Sequence, residues 1–304
     1  MMLARLAGNE LTRQALTEAL SAGRLGHSVL LCGEAGCGAG FAARCLAADY
    51  LYPAGGPAAE AVLRGESPEC AALRGSGSGG IIKVEQIRAA RAALYETSLS
   101  AAGRVQIVYG AHKMNPASAN ALLKILEEPP PGVLFILTAP GAGSVLPTIR
   151  SRCRLYTVAP LPQADCAALL RAEYPACDEP HAQDLARAFG GRAGAALALL
   201  QSPDGDALLR EARELAAAAA ARDRYACMRV LAGVERDKSR ATRLIELLRS
   251  LCGAWMRSPA PEDPLPPARA AHAARQAGRA LTALESNANP RLTLTALALR
   301  LCRV

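Results

Sequence analysis

The chain has 304 residues, 51% of them apolar and 4% aromatic, with a formal net charge of +8. That length and apolar content suit a compact protein of two or three domains. No apolar run reaches the roughly 18 residues of a membrane span, and the N-terminal MMLARLAGNELTRQ lacks the apolar stretch of a secretion signal, so the expected setting is the cytoplasm with no membrane partner.

Ten cysteines stand singly, without a CxxC pair or zinc-ligand spacing to the four histidines. They are expected to be small buried apolar residues, and no metal site is expected. The positive charge favours an acidic partner such as DNA, although only four basic residues are lysines and the arginines are spread along the chain. The scarcity of aromatics argues against base stacking and leaves phosphates as the target.

In chain order, residues 3–20 carry apolar side chains at helical spacing, and HSVLLCG (27–33) reads as a buried strand entering a glycine turn. A helix follows over 39–51. The Pro-, Gly- and Ser-rich stretch 53–80 reads as an irregular insertion. VEQIRAARAALY (84–95) has the stripe Val84, Ile87, Ala90, Leu94 of an amphipathic helix, with Arg88 and Arg91 on its polar side. RVQIVYGA (104–111) is a second buried strand. Asn115-Pro116 offers a cap and a first-turn proline for a helix over 116–128, which Pro129-Pro130-Pro131 stops. On that helix Lys124 and Glu128 are spaced for an intrahelical ion pair.

VLFILTA (133–139) and SRCRLYTVAP (151–160) supply a third and a fourth strand. Strands alternating with helices predict a parallel sheet covered on both faces. Beyond Pro160 the strand signals end. Short helices over 163–200, then Ala- and Leu-rich helices over 204–257 and 266–303 split by SPAPEDPLPP (258–267), divide the chain into an α/β domain (1–160), a small helical domain (161–203) and a helical C-terminal domain (204–304).

GEAGCGAG, Gly33 to Gly40, lies where a phosphate loop would lie and keeps Gly33, Gly36 and Gly38. Such a loop needs a lysine to neutralise the β- and γ-phosphates, followed by a Ser or Thr to hold magnesium. Ala39 and Gly40 stand there instead. The end of the second strand, where a magnesium-positioning Asp and a water-activating Glu belong, offers Tyr109 and Gly110. ATP hydrolysis by this chain is therefore not expected, nor is a bound cofactor, beyond weak nucleotide binding by backbone amides at the helix start.

NPASANALLKILEEPP (115–130), FILTAP (135–140), LPTIRSRC (146–153) and ESNANPRLTLTALALRL (285–301) together resemble the bacterial DNA polymerase III clamp-loader subunits, in the same order. The resemblance covers most of the chain. It implies an AAA+ (RecA-like) domain, a helical lid and an all-α collar. Within the family the catalytic gamma/tau subunits keep the loop lysine and acidic strand end, whereas delta-prime subunits commonly do not, and this sequence falls with the latter.

The resemblance further implies that Arg152, flanked by Ser151 and Cys153, reaches the γ-phosphate of ATP held with magnesium by a neighbour and supports the transition state in trans. Implied partners are the gamma/tau and delta subunits, the sliding clamp and primer–template DNA, with Arg88 and Arg91 toward the DNA backbone. Thr138 matches a γ-phosphate-sensing position, Arg192 lies near the nucleotide-sensing arginine, and the helix over 116–128 lies near subunit junctions. The four-cysteine zinc module of many relatives cannot form, since 53–80 holds only Cys70. A divergent gamma/tau-like ATPase is the alternative and would need a lysine or arginine from elsewhere to reach the loop. A stand-alone DNA-binding adaptor is disfavoured by the scattered charge.

Overall fold

The structure is a computed structural model that describes residues 1–76, 80–94, 103–286 and 288–303. Residues 77–79 of the predicted insertion, Tyr95 and Asn287 lie outside the described residues.

The first element is α1 (Glu10–Ser21), followed by β1 (Ser28–Cys32), α2 (Ala39–Leu51), α3 (Pro57–Arg64) and β2 (Cys70–Arg74). Then come α4 (Val84–Ala93), β3 (Arg104–Tyr109), α5 (Pro116–Glu127), β4 (Val133–Ala139), the single turn α6 (Pro147–Arg150) and β5 (Arg154–Thr157). The five strands form one sheet in the order β2-β3-β4-β1-β5, with every pairing parallel. Both faces are covered, as the continuous apolar strands demand. Val29, Leu31, Ile107, Leu134 and Ile136 pack with α1 and α2 on one face, whereas Leu30, Val108, Phe135 and Leu137 pack with α4 and α5 on the other.

α2 is buried along most of its surface, and its one buried carboxylate has a structural task. Asp49 accepts the amides of Met2 (2.5 Å) and Leu3 (2.8 Å), tying the N-terminal turn to the helix. At the head of α5 the Asn115 side chain accepts from the Ser118 amide at 2.8 Å, with Pro116 in the first turn, as the sequence predicts.

The stretch 53–80 departs from its prediction. It contains α3, whose Ala59 and Val62 are buried, and β2, an edge strand that buries only Leu73 and is held by its backbone pairing with β3. An edge strand stabilised by backbone bonds needs little apolar patterning, so composition alone read it as a loop.

The remaining helices are α7 (Gln163–Glu173), α8 (Glu179–Ala188), α9 (Ala193–Leu200), α10 (Gly205–Ala220), α11 (Arg224–Ala232), α12 (Lys238–Arg257), α13 (Pro267–Glu285) and α14 (Pro290–Leu301). Asp178, Asp223, Asp237 and Asn289 cap α8, α11, α12 and α14 through side-chain acceptors. α12 packs on α10 and α13, and α14 on α11 and α13, burying Leu215, Leu244, Leu248, Trp255, Leu281 and Leu297. Arg187 and the buried Asp263 join through two bonds of 2.6 and 3.0 Å.

Two compact units result. One comprises Met1–Asp165 with Arg192–Gly194, the other Cys166–Gly191 with Ala195–Val304. The helices over 166–191 therefore group with those after 204, and the finer division into 161–203 and 204–304 stands as a proposal about function. Among the described residues no helix is long and apolar enough to cross a membrane, and all ten cysteines are free, eight of them buried.

Candidate functional site

The glycine loop is shaped by its neighbours. The Gly33 amide donates to the Ala139 carbonyl (2.9 Å), continuing the β1–β4 pairing past Cys32, and a Cβ at position 33 would stand 2.4 Å from the Val158 carbonyl oxygen. Only glycine fits that contact. Gly36 and Gly38 have φ of +90° and +102°, the left-handed region that side chains disfavour, and Gly38 leads directly into α2. The Gly194 amide donates to the Gly36 carbonyl at 2.9 Å, which gives the far side of the loop a fixed partner.

Ala39 is buried and carries no charge. At Gly40 a Cβ would stand 3.3 Å from Cε1 of Tyr109, so the aromatic ring occupies the space in front of the residue that would otherwise bring a hydroxyl. The Arg74 guanidinium lies over the same ring, 3.7 Å from its centroid. The two departures read from the sequence, Gly40 in the loop and Tyr109 at the strand end, are thus one packing arrangement. Thr138 is buried at the end of β4, and its Oγ1 accepts the Gly110 amide at 3.1 Å.

These residues surround a cavity of about 640 Å³. Its wall also holds Arg44, Arg74, His112 and Lys113, with Glu34 as the one carboxylate. His112 titrates below the ordinary imidazole value, chiefly from burial and then from the charge of Lys113. Cys37, within the loop, is pushed up by burial and then by Glu34, against a smaller opposing pull from Arg192. Sequence reasoning missed Arg44, Arg74 and Lys113. Arg74 sits in the stretch read as irregular, and Lys113 follows the second strand in a short turn.

The Ser151-Arg152-Cys153 segment is the turn between α6 and β5. The Cys153 amide donates to the Arg150 carbonyl (3.2 Å), and its thiol, packed beside the core against Cys32, is raised by burial to about 12. The Ser151 hydroxyl donates to the Thr148 carbonyl at 3.0 Å. Anchored on both sides, the segment directs Arg152 outward. Its side chain is 36% exposed, and it donates to the Thr148 carbonyl (3.0 Å) and to Glu127 Oε1 (2.5 Å). Of the neighbours that could be mistaken for it, Arg154 donates to the Arg24 carbonyl and Arg150 ends α6.

Glu127 shares its helix with Lys124 and Glu128 in the sequence, and its contact with Arg152 is not foreseen there. The spacing favours Lys124 with Glu128, but α5 ends at Glu127 and Glu128 leaves the helix with φ −128° and ψ 72°. That turn carries the carboxylate off the helical face, and no Lys124–Glu128 ion pair forms among the described residues. Lys124 instead joins Arg88 and Arg91 along a groove of about 320 Å³ between α4 and α5, floored by Ile87 and Ile125. The predicted arginines and the lysine, read separately in the sequence, share one basic surface.

Among the described residues no cluster of three His, Cys, Asp or Glu side chains is placed to hold a metal ion. The half-buried Cys70 has its thiol raised to about 11 by desolvation.

Residues 8–162, about half the chain, match the family described as DNA polymerase III, delta subunit. The chain belongs to this clamp-loader family. Among curated relatives it is 37% identical over 177 residues to DNA polymerase III subunit gamma/tau of Mycobacterium tuberculosis, covering 55% of this chain and 30% of that protein. It is 32% identical over 167 residues to DNA polymerase III subunit delta' of Escherichia coli, covering 55% of this chain and 50% of that protein. The chain thus spans half or less of the length of these relatives. A gamma subunit-related protein of Thermotoga maritima shares the fold at 19% identity and a TM-score of 0.54, over 95% of this chain and 99% of that one. That shared fold takes in both the parallel-sheet domain and the helical C-terminal region.

Proposed function

We propose that this chain is a delta-prime-type, non-hydrolysing subunit of the DNA polymerase III clamp loader, and that Arg152 acts in trans on ATP held by a neighbouring subunit. The observation that carries the reading is the packing of Tyr109 in front of Gly40. Gly40 brings no hydroxyl and Tyr109 no acid for magnesium, and Ala39 brings no lysine, which supports a chain that leaves hydrolysis to its neighbours. Arg152, by contrast, is a half-exposed guanidinium on a rigid turn. It can exchange its Glu127 contact for an anionic partner at modest cost, because exposed ion pairs are weak.

On this reading gamma/tau and delta subunits are the partners, and ATP with magnesium sits on them. Arg152 supplies positive charge as the γ-phosphoryl group leaves. Arg88, Arg91 and Lys124 follow the phosphates of primer–template DNA while the sliding clamp is loaded. A second reading, a divergent gamma/tau-like ATPase, is supported by the gamma/tau relatives and by the arginines and lysine that line the cavity.

Steady-state ATPase assays separate the two. The isolated chain is expected to show no turnover above background with saturating ATP and magnesium, and to raise the DNA-stimulated rate when added to gamma/tau and delta subunits. Turnover by the isolated chain would favour the second reading.

A further inference from the structure

Two of the ten free cysteines touch. Cys227 is a fully buried residue of α11, and Cys302 stands one residue past the end of α14, 6% exposed. Their sulfurs are 3.7 Å apart although the residues are 75 positions apart in the sequence. A disulfide bond measures about 2.05 Å, so a shift of under about 2 Å separates this contact from a covalent link.

Both partners are held where they meet. α11 and α14 pack against each other, and the Cys227 thiol lies 4.0 Å from the Leu215 carbonyl of α10. The end of α14 is pinned by His272 of α13, whose Nε2 donates to the Arg300 carbonyl at 2.9 Å. The two thiols differ in how they meet solvent. Burial, and then the contact with Cys302, pushes the Cys227 thiol up to about 12, so it stays protonated and is a poor first target for an oxidant. Cys302 keeps a little exposed surface and sits at a helix end, where local opening costs least.

We propose that Cys227 and Cys302 are a redox pair that a hydroperoxide converts into a reversible disulfide, tying α14 to α11. Cys302 reacts first. Its sulfur takes one peroxide oxygen to become a sulfenic acid, and the rest of the peroxide leaves as an alcohol or, from hydrogen peroxide, as water. The Cys227 sulfur then attacks the Cys302 sulfur: the S–S bond forms as the S–O bond breaks, and the departing hydroxide takes the Cys227 proton to leave as water. Two electrons pass from the two thiols to the peroxide, and a dithiol reductant returns them. The link joins positions 75 apart, which restricts the unfolded chain and stabilises the unit that contains both helices. It involves neither the glycine loop nor Arg152, and it goes beyond the reading of Arg152 given above.

The test is peptide mapping of the folded full chain after exposure to hydrogen peroxide, with the remaining thiols alkylated once the chain is denatured. Trypsin releases Cys227 within residues 225–229 and Cys302 within residues 301–303. The expected result is one linked pair of these peptides, lost on treatment with dithiothreitol, with the other eight cysteines still open to alkylation. The linked chain is expected to melt about 5 °C or more above the reduced one. In Cys227→Ala, which removes the resolving thiol, the same exposure is expected to leave Cys302 as a sulfenic acid that dimedone traps. The unmutated chain gives the linkage by itself, so a variant that fails to fold does not remove the test. Oxidation confined to other cysteines, a link between two chains, or a link that appears only when peroxide meets the denatured chain would overturn the proposal. None of these results bears on whether Arg152 stimulates a neighbour, so the two ideas fail separately.

Discussion

The glycine loop and the Ser151–Cys153 turn are both short connections at strands β1 and β5, which pair side by side in the sheet, and they differ in what fixes their residues. In the loop the glycines are held by the backbone, while Ala39 and Gly40 bring neither charge nor hydroxyl. Gly33 is fixed by the Val158 carbonyl and Gly38 by a left-handed φ, demands that exist whether or not a phosphate ever binds. In the turn the backbone is ordinary and the side chain carries a charge. Nothing in the core requires a guanidinium at position 152; Ser151 and Cys153 anchor the chain, and Arg152 is left outside. A glycine held by packing reports on the fold, whereas an outward charge on an anchored turn is not a demand of the core.

The comparison breaks most easily at Gly33. Gly33→Ala places a methyl carbon in the Val158 carbonyl and is expected to cost about 1–3 kcal/mol or more, read as a lower midpoint in urea at unchanged slope. A smaller cost would mean that the loop glycines are not packing requirements. Restoring the missing loop side chains sharpens the contrast. Ala39→Lys/Gly40→Thr is expected to remain without ATP turnover and to lose about 1 kcal/mol, because the new threonine side chain presses on Tyr109. Adding Tyr109→Asp is expected to recover part of that loss, and a double-mutant cycle measures the coupling between positions 40 and 109. Recovery of turnover with Tyr109 still in place would contradict the account. The smallest effect belongs to the turn: Arg152→Ala is expected to change stability by no more than about 0.5 kcal/mol, as for other exposed substitutions, in the same urea titration.

Much of the α/β framework was legible because β1 and β4 are apolar and buried throughout and α5 carries an explicit cap. The buried runs at 28–32 and 133–139 and the Asn115-Pro116 start of α5 are local signals that tertiary structure left unchanged. β2 was not legible, since only Leu73 of its five residues is buried and its stability comes from pairing with β3. In the site, the losses at positions 39, 40 and 109 could be read one by one. That Tyr109 packs on Gly40, or that Arg74 and Lys113 reach the same cavity, could not, because those contacts join segments far apart in the chain. The Glu127–Arg152 contact was not legible for a related reason. Helical spacing offered Glu128 to Lys124, but the helix stops one residue sooner and leaves Glu127 facing the turn.

The most direct test of the central claim is the ATPase rate of the reconstituted clamp loader, stimulated by primed DNA and the clamp, with the intact chain and with Arg152→Ala after both are shown to assemble equally. A fall of about a thousandfold, the scale seen when such an arginine is removed from phosphoryl-transfer sites, is the predicted result. An unchanged rate at equal assembly would contradict it and leave Arg152 as no more than the exposed partner of Glu127.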